Sequence, residues 1–161
     1  MRSLTDYHRE LLVRFSGMTV ATYKDIDSRI LKSIKNPVRG AYEIKIKLPE
    51  CTFLGVQGQP DFADVYLALY PDQLVIELKS LKRYVFQLRN LVVSYERLIN
   101  VMYDDLMSTY GPKRLRIVMI CNPRGGISSK LTIDSDWKAR GGCEEFSDWQ
   151  NAADDVWAVV M

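Results

Sequence analysis

From Tyr42 the chain alternates: Tyr42, Ile44, Ile46 and Leu48 are apolar, while Glu43, Lys45 and Lys47 are charged. A period of two gives a strand one apolar face. Val65, Leu67 and Leu69 repeat the pattern after a GQPD turn (58–61), and LVIELK (74–79) predicts a third strand. At Ser80 the period changes. Leu81, Tyr84, Val85 and Leu88 stand at i, i+3, i+4 and i+7, predicting a helix with Ser80 as its N-cap. A second helix follows Asn90, with Tyr95, Leu98, Ile99, Met102 and Leu106 on one face, and ends at Gly111-Pro112. RLRIVMIC (114–121) predicts a strand, PRGG (123–126) a turn and SSKLTID (128–134) a last strand.

Strands, then two helices, then strands predict an α+β fold, with the helices layered on one face of an antiparallel sheet. Before that block, Leu4, Tyr7, Leu11, Leu12 and Phe15 keep helical spacing, and a looser stretch runs to the Asn36-Pro37 break. The expected organisation is a partly helical extension (1–36), one domain (37–140) and an acidic tail (141–161) carrying Trp149 and Trp157. There is no internal repeat or low-complexity tract.

Composition narrows the picture modestly. At 161 residues and 47% hydrophobic content, the chain is long enough for one core without metals or disulfides. Twenty-two basic against 20 acidic residues give a formal charge of +2, so no global field favours nucleic acid. Cys51, Cys121 and Cys143 are odd in number and form no CxxC pair, which argues against a disulfide framework or a metal site and fits a reducing cytoplasm. MRSLTDYHRELLVRF mixes charges among its apolar residues, so neither a signal peptide nor a spanning helix is expected, and the protein is read as cytoplasmic.

Four features bear on chemistry. ELKSLKRY (77–84) places Lys79 and Lys82 at a helix start, where cations and open backbone amides suit an anion such as a phosphate; the alternative is a solvated basic face. Arg124 before Gly125-Gly126 is either an anion contact or part of a tight connection. Glu96 is either an exposed acid or a bidentate acceptor for a guanine-type edge. Asp61 behind Pro60 has the composition of a turn residue.

Taken together, GQPDFADVY, ELKSLKRYVFQLRN, the Tyr95-Glu96 pair and NPRGGIS resemble, in that order, the 7-cyano-7-deazaguanine reductases, the nitrile reductases of queuosine biosynthesis. Their pattern reads approximately C-P-x-T-G-Q-P-D-F-A, E-S-K-S-L-K-x-Y-x-F-x-x-R-N, H-G-D-F-H-E-D and P-R-G-G-I. The resemblance spans about 36 to 129. It implies the tunnelling fold, assembly into homo-oligomeric rings with active sites between subunits, NADPH as cofactor and a 7-deazaguanine-type heterocycle as ligand. It further implies Glu77, Lys79, Ser80 and Lys82 for the cofactor region with Arg124 nearby, Glu96 as the anchor of the base and Asp61 as the catalytic acid. It implies no membrane, direct nucleic-acid partner or metal.

The resemblance breaks at the nucleophile. In the family a thiolate attacks the nitrile carbon, and the resulting thioimide takes two hydrides in succession. Counted back from GQPD without a gap, the thiol's place falls on Leu54; aligned from the upstream Pro49-Glu50, it falls on Gly55 with one residue deleted. Cys51 precedes Asp61 by ten positions where the family spacing is seven, and three extended residues span about 10 Å. Cys51 would therefore reach the site only through a rearranged loop, and is otherwise a buried structural thiol. LVVSYE (91–96) also replaces H-G-D-F-H-E, so Leu91 and Tyr95 stand where the family has histidines. Tyrosine, with a reference pKa near ~10, exchanges protons less readily at neutral pH.

Two functions of different class follow. One is an NADPH-dependent reductase of this family, acting on 7-cyano-7-deazaguanine or a related heterocycle; without the nucleophile, an imine or aldehyde is a substrate that needs no covalent step, with Asp61 or Tyr95 supplying a proton. The other is a binding protein or pseudoenzyme holding a deazapurine or pterin through Glu96. A transferase on the same carrier fits less well, because it needs no hydride donor and ELKSLK is retained.

Overall fold

The structure, a computed structural model, describes residues 21–136; the expected helix at 4–15 and the Trp-bearing tail lie outside the described residues. Among the described residues, eight strands and two α-helices follow in order: β1 (Ala21–Thr22), β2 (Ser33–Lys35), β3 (Ile44–Leu54), β4 (Pro60–Tyr70), β5 (Leu74–Ile76), α1 (Leu78–Gln87), β6 (Leu91–Val92), α2 (Tyr95–Tyr110), β7 (Arg114–Arg124) and β8 (Ile127–Asp134). Six strands form one sheet in the order β1-β6-β3-β4-β7-β8, and β2 and β5 form a separate antiparallel pair. From β3 through β8 the main sheet is antiparallel, as expected, but β6 joins β1 and β3 in parallel. The class is α+β. Residues 21–35 are part of this framework, since β1 edges the main sheet and β2 pairs β5.

Alternation explains the core. Ala63, Val65, Leu67 and Leu69 of β4 and Leu115, Ile117, Met119 and Cys121 of β7 turn one face inward. That face packs against Leu81, Tyr84 and Leu88 of α1 and Leu98, Ile99, Met102, Leu106 and Tyr110 of α2. The Tyr84 hydroxyl donates to Asp105 Oδ2 at 2.7 Å, tying the helices together.

One irregularity sets the site. Between Leu48↔Val65 and Cys51↔Ala63, β3 advances three residues while β4 advances two, so β3 carries a bulge. Glu50 sits in it with φ +56°. An extra residue switches the parity of a strand. Before the bulge the inward residues are Ile44, Ile46 and Leu48; after it they are Cys51 and Phe53, and the next position in phase is Gly55, which is buried.

Helix boundaries differ from the expectation at α1. The strand before it stops at Ile76, and the N-cap is Glu77, whose carboxylate accepts from the amides of Lys79 (2.9 Å) and Ser80 (2.8 Å). Ser80 is inside the helix and buried. Its hydroxyl donates to the Glu77 carbonyl at 2.7 Å and accepts from the Lys32 amide at 2.9 Å, which docks the segment before β2 onto α1. α2 begins at Tyr95 rather than directly after Asn90, because β6 intervenes; Ser94 caps it. It ends on Gly111 in the left-handed conformation (φ +50°, ψ +47°), whose amide donates to the Met107 carbonyl. The turn after β7 is Gly125-Gly126 alone, both at positive φ, and this leaves Arg124 at the end of the strand.

Candidate functional site

Three segments converge at one end of the sheet: the β3–β4 loop (55–59), the β6–α2 junction (93–96) and the end of β7. The Gly55 amide donates to the Gln59 carbonyl (2.8 Å) and the Gly58 amide to the Gly55 carbonyl, which closes the loop. The Val93 amide donates to the Leu54 carbonyl (2.9 Å), which holds the junction beside that loop. Between them lies a cleft of about 270 Å³ bounded by Gly55, Gln59, Asp61, Tyr95, Glu96 and Arg124, among others. That volume is near the small end of ligand clefts, ~300–1,000 Å³, a size for a fused ring rather than for a dinucleotide.

Asp61 is inward-facing, opposite Phe53, and buried. Arg124 Nη1 donates to both of its carboxylate oxygens, at 3.2 and 3.1 Å. Space for this pair exists because residue 55 has no side chain: a Cβ there would collide with Asp61 Oδ2 and stand 2.9 Å from Arg124 Nη1. Gly55, not Leu54, is thus the residue that faces the acid, as the bulge parity requires.

Tyr95 packs its ring edge-on against Phe53, with centroids 5.6 Å apart. It lines the cleft together with Asp61 and Arg124, and its pKa is raised, first by desolvation and then by the Asp61 charge. Tyr95 is therefore a protonated hydrogen-bond donor at neutral pH. Glu96, in the first turn of α2, is exposed on the cleft wall, and among the described residues its carboxylate has no ion-pair partner. Gln59 Oε1 is buried without a hydrogen-bond partner. An unpaired acceptor in such a place costs free energy unless a ligand donor meets it. Sequence reasoning missed both Gly55's role and Gln59, although the loop composition alone marks a close approach.

The thiols lie elsewhere. Cys51, Ala63 and Cys121 are register partners in a row across β3, β4 and β7. Cys51 is 0% exposed, and burial, followed by the Cys121 neighbour, pushes its pKa up to about 12. Phe53 is the next inward residue, so Cys51 sits one side chain deeper than the cleft and does not line it. Cys121 is 2% exposed, and its pKa too is raised by burial.

The expected cofactor residues divide. Glu77 and Ser80 are engaged in the helix cap, so the amides of Lys79 and Ser80 are not open to an anion as the sequence suggested. Lys79 and Lys82 are exposed cations on α1. Lys82 borders a second groove of about 380 Å³, between β3 and α1, with Glu50, Leu48, Val85, Phe86 and Arg89. Arg89 stacks on the Phe86 ring at 4.5 Å. Cations beside an exposed aromatic ring form a donor set that fits phosphates and a stacked base. Arg124 is not in this groove; it belongs to the Asp61 cleft.

A cleft of this size, with two carboxylates, a guanidinium and an unpaired amide oxygen, has the dimensions and polarity that suit a small polar heterocycle. The chain belongs to the QueF-like protein family, whose model matches residues 60–140. It is 44% identical over 96 residues to the NADPH-dependent 7-cyano-7-deazaguanine reductase of a Nitratiruptor species, covering 59% of this chain and 73% of the relative. It is 33% identical over 130 residues to the enzyme of that name from Parabacteroides distasonis, covering 80% and 83%. Among solved structures, the apo crystal structure of the archaeosine synthase QueF-Like superposes with a TM-score of 0.52 at 13% identity, over 58% of this chain and 92% of that one. This likeness bears out the tunnelling fold expected from the sequence. Among the described residues no helix is long and apolar enough to cross a membrane.

Proposed function

We propose that the protein is an NADPH-dependent reductase acting on a 7-deazaguanine-type heterocycle in the queuosine or a related 7-deazaguanine pathway. The observation that carries this reading is the convergence of Glu96, Gln59 and Asp61 on one cleft. A guanine-type edge offers two parallel N–H donors, which a carboxylate such as Glu96 accepts bidentately. Gln59 Oε1 accepts a further ligand N–H. Tyr95 and Arg124 supply donors at the Asp61 end, where the reacting substituent of the base would lie. The names of the relatives support both the substrate class and the cofactor.

NADPH, when bound, supplies a hydride. Lys82, Arg89 and exposed Lys79 would hold its phosphates, and Phe86 offers a stacking surface. Active sites completed between subunits of a homo-oligomeric ring are part of this reading, supported by the outer edge of β8, which has no strand partner among the described residues. A cytoplasmic setting without membrane or direct nucleic-acid partners fits a small-molecule cleft of this kind.

The cofactor assignment is tested by fluorescence titration with NADPH. Lys82→Ala and Arg89→Ala should each weaken binding by about tenfold, a charge-assisted hydrogen bond being worth ~1.5–3 kcal/mol. Unchanged affinity in both would refute the assignment.

A second reading, a heterocycle-binding pseudoenzyme, is favoured by two observations: Arg124 already engages the acid, and no described thiol lines the cleft. Base binding without NADPH oxidation would support it.

A further inference from the structure

Gly55 is not among the glycines with positive φ. Its backbone is therefore one that any residue adopts, and what glycine provides there is space. That space is filled by the Asp61–Arg124 pair, since a Cβ would displace both groups. The position nearest the acid is thus held free of any nucleophile, and the described thiols are buried in the sheet.

A nitrile carbon accepts hydride from a nicotinamide only after attachment to a nucleophile has activated it. A carbonyl needs only that its oxygen be polarised and then protonated. Arg124 and Tyr95 are two donors lining the same cleft, suited to oxygen that gains charge as the carbon is reduced.

Resting on the reductase reading above, we propose that Gly55 is bare so that Arg124 stands on Asp61, and that the Arg124–Tyr95 donor pair makes this an aldehyde reductase acting on a 7-formyl-7-deazaguanine-type base. A reduced nicotinamide supplies the hydride that forms the new C–H bond. The carbonyl π pair moves to oxygen, which takes its proton from Tyr95 Oη. The Tyr95 oxygen, stabilised by Arg124 while negative, is reprotonated from water through the open side of the cleft. The sum is aldehyde, reduced nicotinamide and a proton giving primary alcohol and oxidised nicotinamide. Asp61 is a positioning residue that fixes the guanidinium.

The test offers the full-length protein NADPH with the 7-formyl and the 7-cyano base, and follows cofactor oxidation, product mass and intact protein mass. The expected result is one NADPH oxidised per alcohol formed, no reduction of the nitrile and no covalent adduct on any cysteine, Cys143 included. Tyr95→Phe should lower kcat by about 10²- to 10⁴-fold while the calorimetric Kd for the base stays within about twofold. Gly55→Ala should lower kcat at least tenfold because its Cβ displaces Arg124 from Asp61, and its base Kd reports whether the cleft remains folded. Nitrile reduction with two NADPH and a thioimide adduct would overturn the proposal. So would a formyl base left unreduced although base and cofactor both bind by calorimetry. Failure of base or cofactor to bind would instead remove the reductase reading, and this inference with it.

Discussion

Arg124 reaches Asp61 across a gap that the missing side chain of Gly55 leaves open, donating from one guanidinium nitrogen to both carboxylate oxygens. Asp61 is nearly buried (7% side-chain exposure) and Arg124 is 45% exposed. Solvent screening at the arginine weakens the pair well below a fully buried one.

Arg124→Gln should therefore cost about 1–2 kcal/mol, and a double-mutant cycle with Asp61→Asn should give a coupling of about 1 kcal/mol. The same cycle in a Gly55→Ala background should lose most of its coupling. Denaturant unfolding of the variants measures both; additivity in the native background would contradict the pairing.

Cys51 and Cys121 should be inert to iodoacetamide between pH 7 and 9 in the folded protein and react only on unfolding. Burial removes access and holds both as neutral thiols. Peptide mapping after labelling identifies the sites. Rapid native-state labelling of Cys51 would show that β3 opens around it.

Gln59→Leu removes an acceptor that the ligand-free protein leaves unpaired. It should leave stability unchanged or slightly improved and weaken base binding by about three- to tenfold, the value of a neutral hydrogen bond of ~0.5–1.5 kcal/mol. Melting temperature and calorimetry together check it.

Asp105 accepts from Tyr84, but burial is the larger influence and raises its pKa above the unfolded value near ~3.9. A carboxyl whose folded pKa is raised favours folding most below the unfolded value, and this contribution is lost as pH rises through the folded value. Asp105→Asn keeps an acceptor for Tyr84 without that charge. Its melting temperature relative to the native chain should therefore climb as pH rises from the unfolded value through the raised folded value. A difference independent of pH would contradict the raised pKa.

Much of the framework was legible because alternation and 3.6-residue spacing are local properties of residues such as Val65, Leu67 and Leu69 or Leu98, Ile99 and Met102. Three features were not. The α1 cap moved from Ser80 to Glu77 because two candidate caps compete, and Ser80's hydroxyl is occupied by Lys32, 48 residues away. The β3 bulge is visible only in the pairing with β4, and without it the choice between Leu54 and Gly55 as the residue facing Asp61 stays open. Arg124 was placed with the cofactor by resemblance, whereas its ion pair with Asp61 depends on a contact 63 residues distant. Glu96 and Asp61, by contrast, line one cleft.

The most direct test of the account is calorimetric titration of the native protein and Glu96→Gln with 7-cyano-7-deazaguanine, which probes the cleft independently of turnover. Saturable binding of one base per chain, weakened at least tenfold by the substitution, is the predicted result. No binding, or a Kd the same in both proteins, would contradict the assignment of this cleft to a deazaguanine base.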